Sequence, residues 1–266
     1  MKRVNIALVA LIVLLPTNWC PAGDKPIYQD QNAAIEDRIA DLLARMSLEE
    51  KIVLLSGDST HFDTKPNARL GIPALRMTDG PVGVRSREQA STAFPASVCM
   101  AATWNPDLMF KLGQILGRET KAKGRNVLLG PCVNIHRVPH GGRDFESFGE
   151  DPYLASKIAA NYIKGVQSEK VIATVKHFAC NNQEYDRFGT DVKVDKRTLH
   201  EIYLPTFKAA VQEGGALAVM SAYNRLNGQY CSANTWLLTD ILKEKWGFQG
   251  LVMSDWGAVH SCIPEL

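Results

Sequence analysis

Several kinds of chemistry are missing from this sequence. No two cysteines have CxxC spacing, and no Cys/His spacing fits a zinc site. No glycine-rich phosphate loop follows an apolar run, so nucleotide binding has no support and no cofactor is expected. Gly-x-Ser-x-Gly is absent, which excludes the nucleophile elbow of α/β-hydrolases. No Lys/Arg cluster or basic–aromatic stripe occurs, and the formal net charge is only +2, so nucleic acid is not an expected partner. No apolar run reaches the roughly 20 residues that span a bilayer comfortably. Internal repeats and low-complexity stretches are absent too.

What is present is ordinary globular composition. The chain has 266 residues, 45% of them apolar and 22% charged, enough for one α/β barrel or two smaller domains. The N-terminus differs from the rest. Met1-Lys2-Arg3 is a short basic start, Ile6 to Leu15 is unbroken apolar sequence, and Pro16 ends it before the small residues Ala22 and Gly23. That order predicts a secretory signal over residues 1–23 and an exported protein, periplasmic or secreted. Bulky Trp19 before Cys20 argues against a lipoprotein signal. Export permits disulfides. However, Cys99, Cys132, Cys180, Cys231 and Cys262 are odd in number and mostly sit inside apolar runs, as buried thiols do.

From residue 32 the pattern is helical to Leu55, with Ile35, Ile39, Leu42, Leu43 and Met46 as its apolar face. Within it, Ser47 followed by Glu49 and Glu50 reads as a helix N-cap. Short apolar runs then alternate with amphipathic stretches. The runs are Ala74–Met77, Val127–Leu129, Val171–Val175, Ala216–Met220 and Leu251–Met253, with a weaker one near Ala96–Ala102. Helical stretches lie at Pro106–Lys123, Pro152–Gln167, Thr198–Glu213 and Leu237–Trp246. Trp104 and Trp246 read as packing residues. Strands alternating with helices imply a parallel sheet.

Most of the runs end in polar or ionisable residues: Asp79, Lys176 and His177, Tyr223, then Asp255 and Trp256. Arg143, Glu146 and Arg187 lie in the connecting loops. Chemistry at the carboxyl ends of several strands is the signature of a (β/α) barrel, whereas an open doubly wound sheet uses only one or two strand ends. The count falls short of eight strands, and the chain stops just past a strand end. The expectation is a (β/α)8 TIM-like barrel over residues 24–266, truncated before its last strand or strands.

Two carboxylates, cations and aromatics in one pocket suit a carbohydrate. Glycosidic cleavage needs one carboxylate as nucleophile or base and one carboxyl as acid, and Lys or Arg nearby keeps a nucleophilic Asp ionised. Simpler roles exist for each residue. On position alone Asp255 could cap a helix, Asp79 before Gly-Pro could be a turn residue, and Lys176-His177 could be a strand-end ion pair. Glu146 and Glu150 read as loop-holding ion-pair residues. His136 and His140 are left open.

Longer strings carry a resemblance. RLGIPALRMTDGPVGVR from Arg69, FPAS and AATWNPDL from Phe94, GRDFESFGEDPYLAS from Gly142, KHFACNNQE from Lys176, SAYNRLNG from Ser221 and GFQGLVMSDWGAVHS from Gly247 resemble family 3 glycoside hydrolases of the β-glucosidase type. The resemblance implies that Asp255 is the nucleophile of a retaining exo-β-glycosidase acting on terminal β-D-glucosyl residues. It implies that Asp79, Arg143, Lys176 and His177 hold ring hydroxyls. Arg187 and Tyr223 would lie near the nucleophile, Met220 on the wall and Trp256 at the entrance. The substrate would be a β-linked oligosaccharide or glucoside. A β-xylosidase or other exo-glycosidase of the same family, or an inactive sugar-binding fragment, is the alternative. Relatives that take an acid/base His from this region resemble KHFPGHG after the Lys-His pair, and this chain departs from that. The acid/base Glu is therefore expected in a second α/β domain outside the chain, leaving this piece inactive alone.

Overall fold

The computed structural model describes residues 25–86 and 89–259. The expected signal segment, Cys20 and Cys262 lie outside the described residues. Two units are distinct, one ending at Val53 and one beginning at Leu54.

In the first unit, the helical pattern from residue 32 to Leu55 forms two helices, α1 (Ile35–Arg45) and α2 (Leu48–Leu54, which runs one residue past the unit), the second starting at the expected Ser47 cap. The break falls at Met46, whose backbone is extended. Ser47 then starts α2 with a reciprocal cap. Its Oγ accepts from the Glu50 amide at 3.2 Å, and Glu50 Oε2 accepts from the Ser47 amide at 2.9 Å.

The second unit is an α/β fold. Its strands β1 (Met77–Asp79), β2 (Val127–Leu129) and β3 (Ile172–Phe178) come first. Three helices lie among them, α3 (Ser97–Ala101), α4 (Pro106–Ala122) and α5 (Pro152–Ser168). The stretch near Ala96–Ala102 is thus a helix and not a weak strand. Ser97, Met100 and Ala101 are buried, at helical rather than alternating spacing. Next come β4 (Asp191–Val192), α6 (Lys196–Thr198), a π-helical turn Leu199–Tyr203 and α7 (Pro205–Gln212). Then follow β5 (Ala218–Ser221), the hairpin strands β6 (Arg225–Leu226) and β7 (Gln229–Tyr230), π-helix Trp236–Lys245, and β8 (Leu251–Ser254).

The main sheet has the order β1-β2-β3-β5-β8, and every neighbouring pair is parallel. Five strands of the expected barrel are therefore formed, with no closure among the described residues. A second sheet of β4, β6 and β7 was not foreseen, because two-residue strands carry no periodic pattern.

Helices α4 and α5 start on strong signals. Asn105 and Asp151 cap them through side-chain oxygens, with Pro106 and Pro152 in the first turn. The two helices meet through glycines. A Cβ on Gly113 would lie 2.4 Å from the Tyr162 carbonyl oxygen, and one on Gly165 would lie 2.1 Å from that of Phe110. Met109, Leu116, Ile158, Tyr162 and Ile163 fill the core between these helices and the sheet. Trp246 joins that core beside Phe178, with ring centroids 5.7 Å apart. Trp104 does not: it is 70% exposed, because a left-handed turn at φ 52° carries the chain away from the core there. Cys132, Cys180 and Cys231 are buried, whereas Cys99 is exposed on α3.

Candidate active site

All the strands of the main sheet run in one direction, so their carboxyl ends gather on one edge. Asp79 ends β1, Lys176 and His177 stand just before the end of β3, Tyr223 follows β5, and Asp255 follows β8. The β3–β5 register shifts between Val175 and Phe178. That irregularity breaks the alternation of faces, so neighbouring Lys176 and His177 both reach site carboxylates. The β5–β8 ladder carries on past β8, where the Asp255 amide donates to the Ser221 carbonyl at 3.1 Å. Asp255 is thereby fixed by strand geometry rather than by a loop.

Asp255 is 7% exposed. Its Oδ1 accepts from the Trp256 amide at 2.8 Å. Its Oδ2 is buried, has no hydrogen-bond partner, and lies 3.5 Å from His177 Nε2. Burial pushes the Asp255 carboxyl above its ordinary value, opposed by the Trp256 amide, the Tyr223 hydroxyl and the charges of Lys176 and Arg143. His177 is held well below the usual imidazole range, first by burial and then by Arg143, Lys176 and Arg187. Asp255 therefore faces a neutral imidazole. Tyr223 is pushed upward by burial and by the Asp255 charge, so it remains a phenol that can donate.

Lys176 Nζ, nearly fully buried, lies 3.5 Å from Asp79 Oδ1. Arg85 Nη1 donates to the other oxygen, Asp79 Oδ2, at 3.1 Å. A cavity of about 420 Å³ opens beside Asp79, with Thr60, Phe62, Met77 and Arg85 in its lining. Trp256 stands 5.3 Å from Phe62, centroid to centroid, and its indole N–H donates to the His61 carbonyl at 2.6 Å. Met220 is fully buried in a small apolar cluster with Val127 and Leu129, against which Phe62, Met77 and Trp256 pack.

The two arginines share one carboxylate. Arg187 Nη1 donates to Glu184 Oε2 at 2.6 Å, and Arg143 Nη1 lies 4.0 Å from Glu184 Oε1. Arg143 also pairs through Nε with buried Glu146. The Arg187 guanidinium lies 4.3 Å above the Tyr223 ring, which Phe188 packs at 4.4 Å. Glu150 is exposed and makes no ion pair among the described residues. His136 bonds Ser147 at 2.9 Å, in the loop behind the site.

The expected site residues fall into two linked groups. One is Asp79 with Lys176; the other is His177, Asp255, Tyr223, Arg187 and Arg143, while Met220 and Trp256 share the small apolar cluster beside them. Sequence reasoning missed Arg85, Glu184, Phe62 and Asn134. Arg85 and Glu184 stand inside strings already singled out, so a search for charge partners a few residues from Asp79 and Arg187 could have found them. Phe62 and Asn134 carried no local signal, since each is brought in by tertiary packing.

Parallel strands with their ionisable residues collected at one edge define an α/β protein with a deep polar site. The chain belongs to glycosyl hydrolase family 3: the model described as the "Glycosyl hydrolase family 3 N terminal domain" matches residues 35–264. It is 48% identical over 247 residues to a β-glucosidase of Bacteroides ovatus, covering 88% of this chain and 33% of that one. A β-glucosidase of Rhizobium radiobacter is 49% identical over 228 residues, covering 84% and 28%. Among solved structures, β-glucosidase 3B of Thermotoga neapolitana in complex with glucose superposes with a TM-score of 0.77 at 42% identity, covering 84% of this chain and 35% of that one. The chain thus spans about a third of the length of the curated relatives it matches.

Proposed function

We propose that this chain supplies the nucleophile and most of the sugar-binding side chains of a retaining exo-β-glycosidase that removes terminal β-D-glucosyl residues. The observation that carries the reading is Asp255 itself, buried, fixed by the strand ladder, with Oδ2 free of hydrogen bonds and cations nearby. Asp255 Oδ2 attacks the anomeric carbon, a carboxylic acid protonates the leaving oxygen, and water then cleaves the glycosyl ester with that acid acting as base. Asp79, Arg143, Lys176 and His177 hold ring hydroxyls, and the Phe62–Trp256 pair gives an apolar wall for the sugar face.

The acid/base is assigned to a Glu outside this chain. Glu146 and Glu184, the Glu residues beside the site arginines, are each already engaged by a guanidinium group, so neither is offered to a leaving oxygen. The β-glucosidase names of relatives about three times as long support both points. We also assign residues 1–23 as an export signal, from the order basic, apolar, small.

The test is the anomer first released by the complete gene product from p-nitrophenyl β-glucoside, followed by proton NMR before mutarotation. The reading expects β-glucose; α-glucose, or no turnover of any β-glucoside or β-xyloside, contradicts it. The 266-residue chain alone is expected to give no enzyme-like turnover.

A further inference from the structure

His177 has two ring nitrogens, and only one faces Asp255. The other is controlled by Asn134, a buried residue between β2 and α5. Asn134 holds the His177 backbone on both sides: its Nδ2 donates to the His177 carbonyl at 2.9 Å, and its Oδ1 accepts from the His177 amide at 2.9 Å. A flipped amide would set donor against donor and acceptor against acceptor, so the orientation is fixed. The same Oδ1 lies 3.2 Å from His177 Nδ1. An amide oxygen there is satisfied only by a protonated Nδ1. Cys132 Sγ, 3.7 Å from Nδ1 and 3.9 Å from Asn134 Oδ1, is a second neighbour. Burial pushes its thiol up to about 12, so it adds no negative charge.

We propose that Asn134 is a positioning residue that fixes the neutral Nδ1–H tautomer of His177, leaving Nε2 as a bare acceptor for a sugar hydroxyl. This rests on the glycosidase reading. Its consequence lies 3.5 Å away. An Nε2–H would donate to Asp255 Oδ2, tie up the oxygen that attacks, and lower its basicity. With Nε2 unprotonated, two acceptors face each other at 3.5 Å. A hydroxyl donating into that gap relieves the mismatch, so the site favours a ligand that brings its own proton donor. His177 thus recognises a hydroxyl as donor, whereas Lys176 and Arg143 can only recognise hydroxyl oxygens as acceptors.

Paired 3-, 4- and 6-deoxy and deoxyfluoro p-nitrophenyl glucosides test this in the complete gene product. Fluorine fills the place of a hydroxyl and accepts weakly, but cannot donate. At the position that meets Nε2, the fluoro substrate is expected to lose kcat/KM as fully as the deoxy substrate, about tenfold or more. At positions met by Lys176 or Arg143 it is expected to recover part of that loss. Asn134→Leu frees the imidazole to place its proton on Nε2, and the fluoro/deoxy ratio at the His177 position should rise at least threefold. Where the Leu variant does not fold, the fluoro/deoxy comparison in the parent enzyme decides alone. A parent enzyme in which fluorine outperforms hydrogen at every position overturns the proposal. So does a Leu variant that lowers all substrates by one factor. Failure to turn over the parent glucoside at all instead contradicts the glycosidase reading, so the two failures are distinct.

Discussion

His177 Nε2 stands 3.5 Å from Asp255 Oδ2, an oxygen buried without a close hydrogen-bond partner. An acidic oxygen buried without a partner is costly, since a desolvated charge prefers to bond or to neutralise. Here the cost is retained next to a fixed neutral imidazole, and an attacking oxygen is what that arrangement provides.

Removing the nucleophile should show the cost directly. Asp255→Asn is expected to lower kcat of the complete gene product by roughly 10³-fold or more, about 4 kcal/mol of barrier. The same change should raise the melting temperature at neutral pH by a few degrees. The sign follows from burial. A carboxyl whose folded value lies above its unfolded one stabilises the fold only while protonated, and that contribution is lost as pH rises past 3.8 and then through the raised folded value. A melting temperature that falls on Asp255→Asn contradicts this.

Asp255 must be ionised to attack, so kcat/KM should fall on the acid side as pH drops through its raised value. Lys176 and Arg143 oppose that raise. Lys176→Met should therefore move the acid limb to higher pH, besides weakening substrate binding through the loss of its contact with Asp79. An acid limb that stays in place or moves downward excludes Lys176 as a charge partner of the nucleophile.

Much of this arrangement was readable along the chain. The runs ending at Leu129, Val175 and Met220 are strands β2, β3 and β5, because a strand covered on both faces is a continuous apolar run. The amphipathic stretches from Pro106 and from Pro152 are α4 and α5. The Ala96–Ala102 stretch misled because a short apolar run has no period long enough to separate strand from helix. At the site, residues next to strand ends were legible, while Asn134 and Phe62 were not. Their roles depend on hydrogen bonds and ring contacts to residues far away in sequence, His177 and Trp256.

Glu184 ties two cations of the site together. Glu184→Gln removes its charge from Arg187 and Arg143 while leaving the Asn181 side of the contact near its present place. Charged hydrogen bonds of this kind are worth about 1.5–3 kcal/mol, so kcat/KM should fall about 10- to 100-fold. The fall should occur without loss of folding, as read by an unchanged circular dichroism spectrum. Activity within twofold of the parent would assign Glu184 to the loop alone.

Asp79 has its two oxygens placed toward Lys176 and Arg85 beside the 420 Å³ cavity. Asp79→Asn should raise KM for β-glucosides more than it lowers kcat, since the group binds hydroxyls remote from the bond that breaks. If the ratio of β-glucoside to β-xyloside turnover is unchanged in this variant, selection at C6 lies elsewhere.

The most direct measurement is mechanism-based labelling of the complete gene product with a 2-deoxy-2-fluoro β-glucoside, followed by peptide mass spectrometry. The account predicts one fluoroglucosyl ester, on the peptide containing Ser254-Asp255-Trp256 and localised to Asp255. A label on any other residue, or inactivation that leaves Asp255 unmodified, contradicts it.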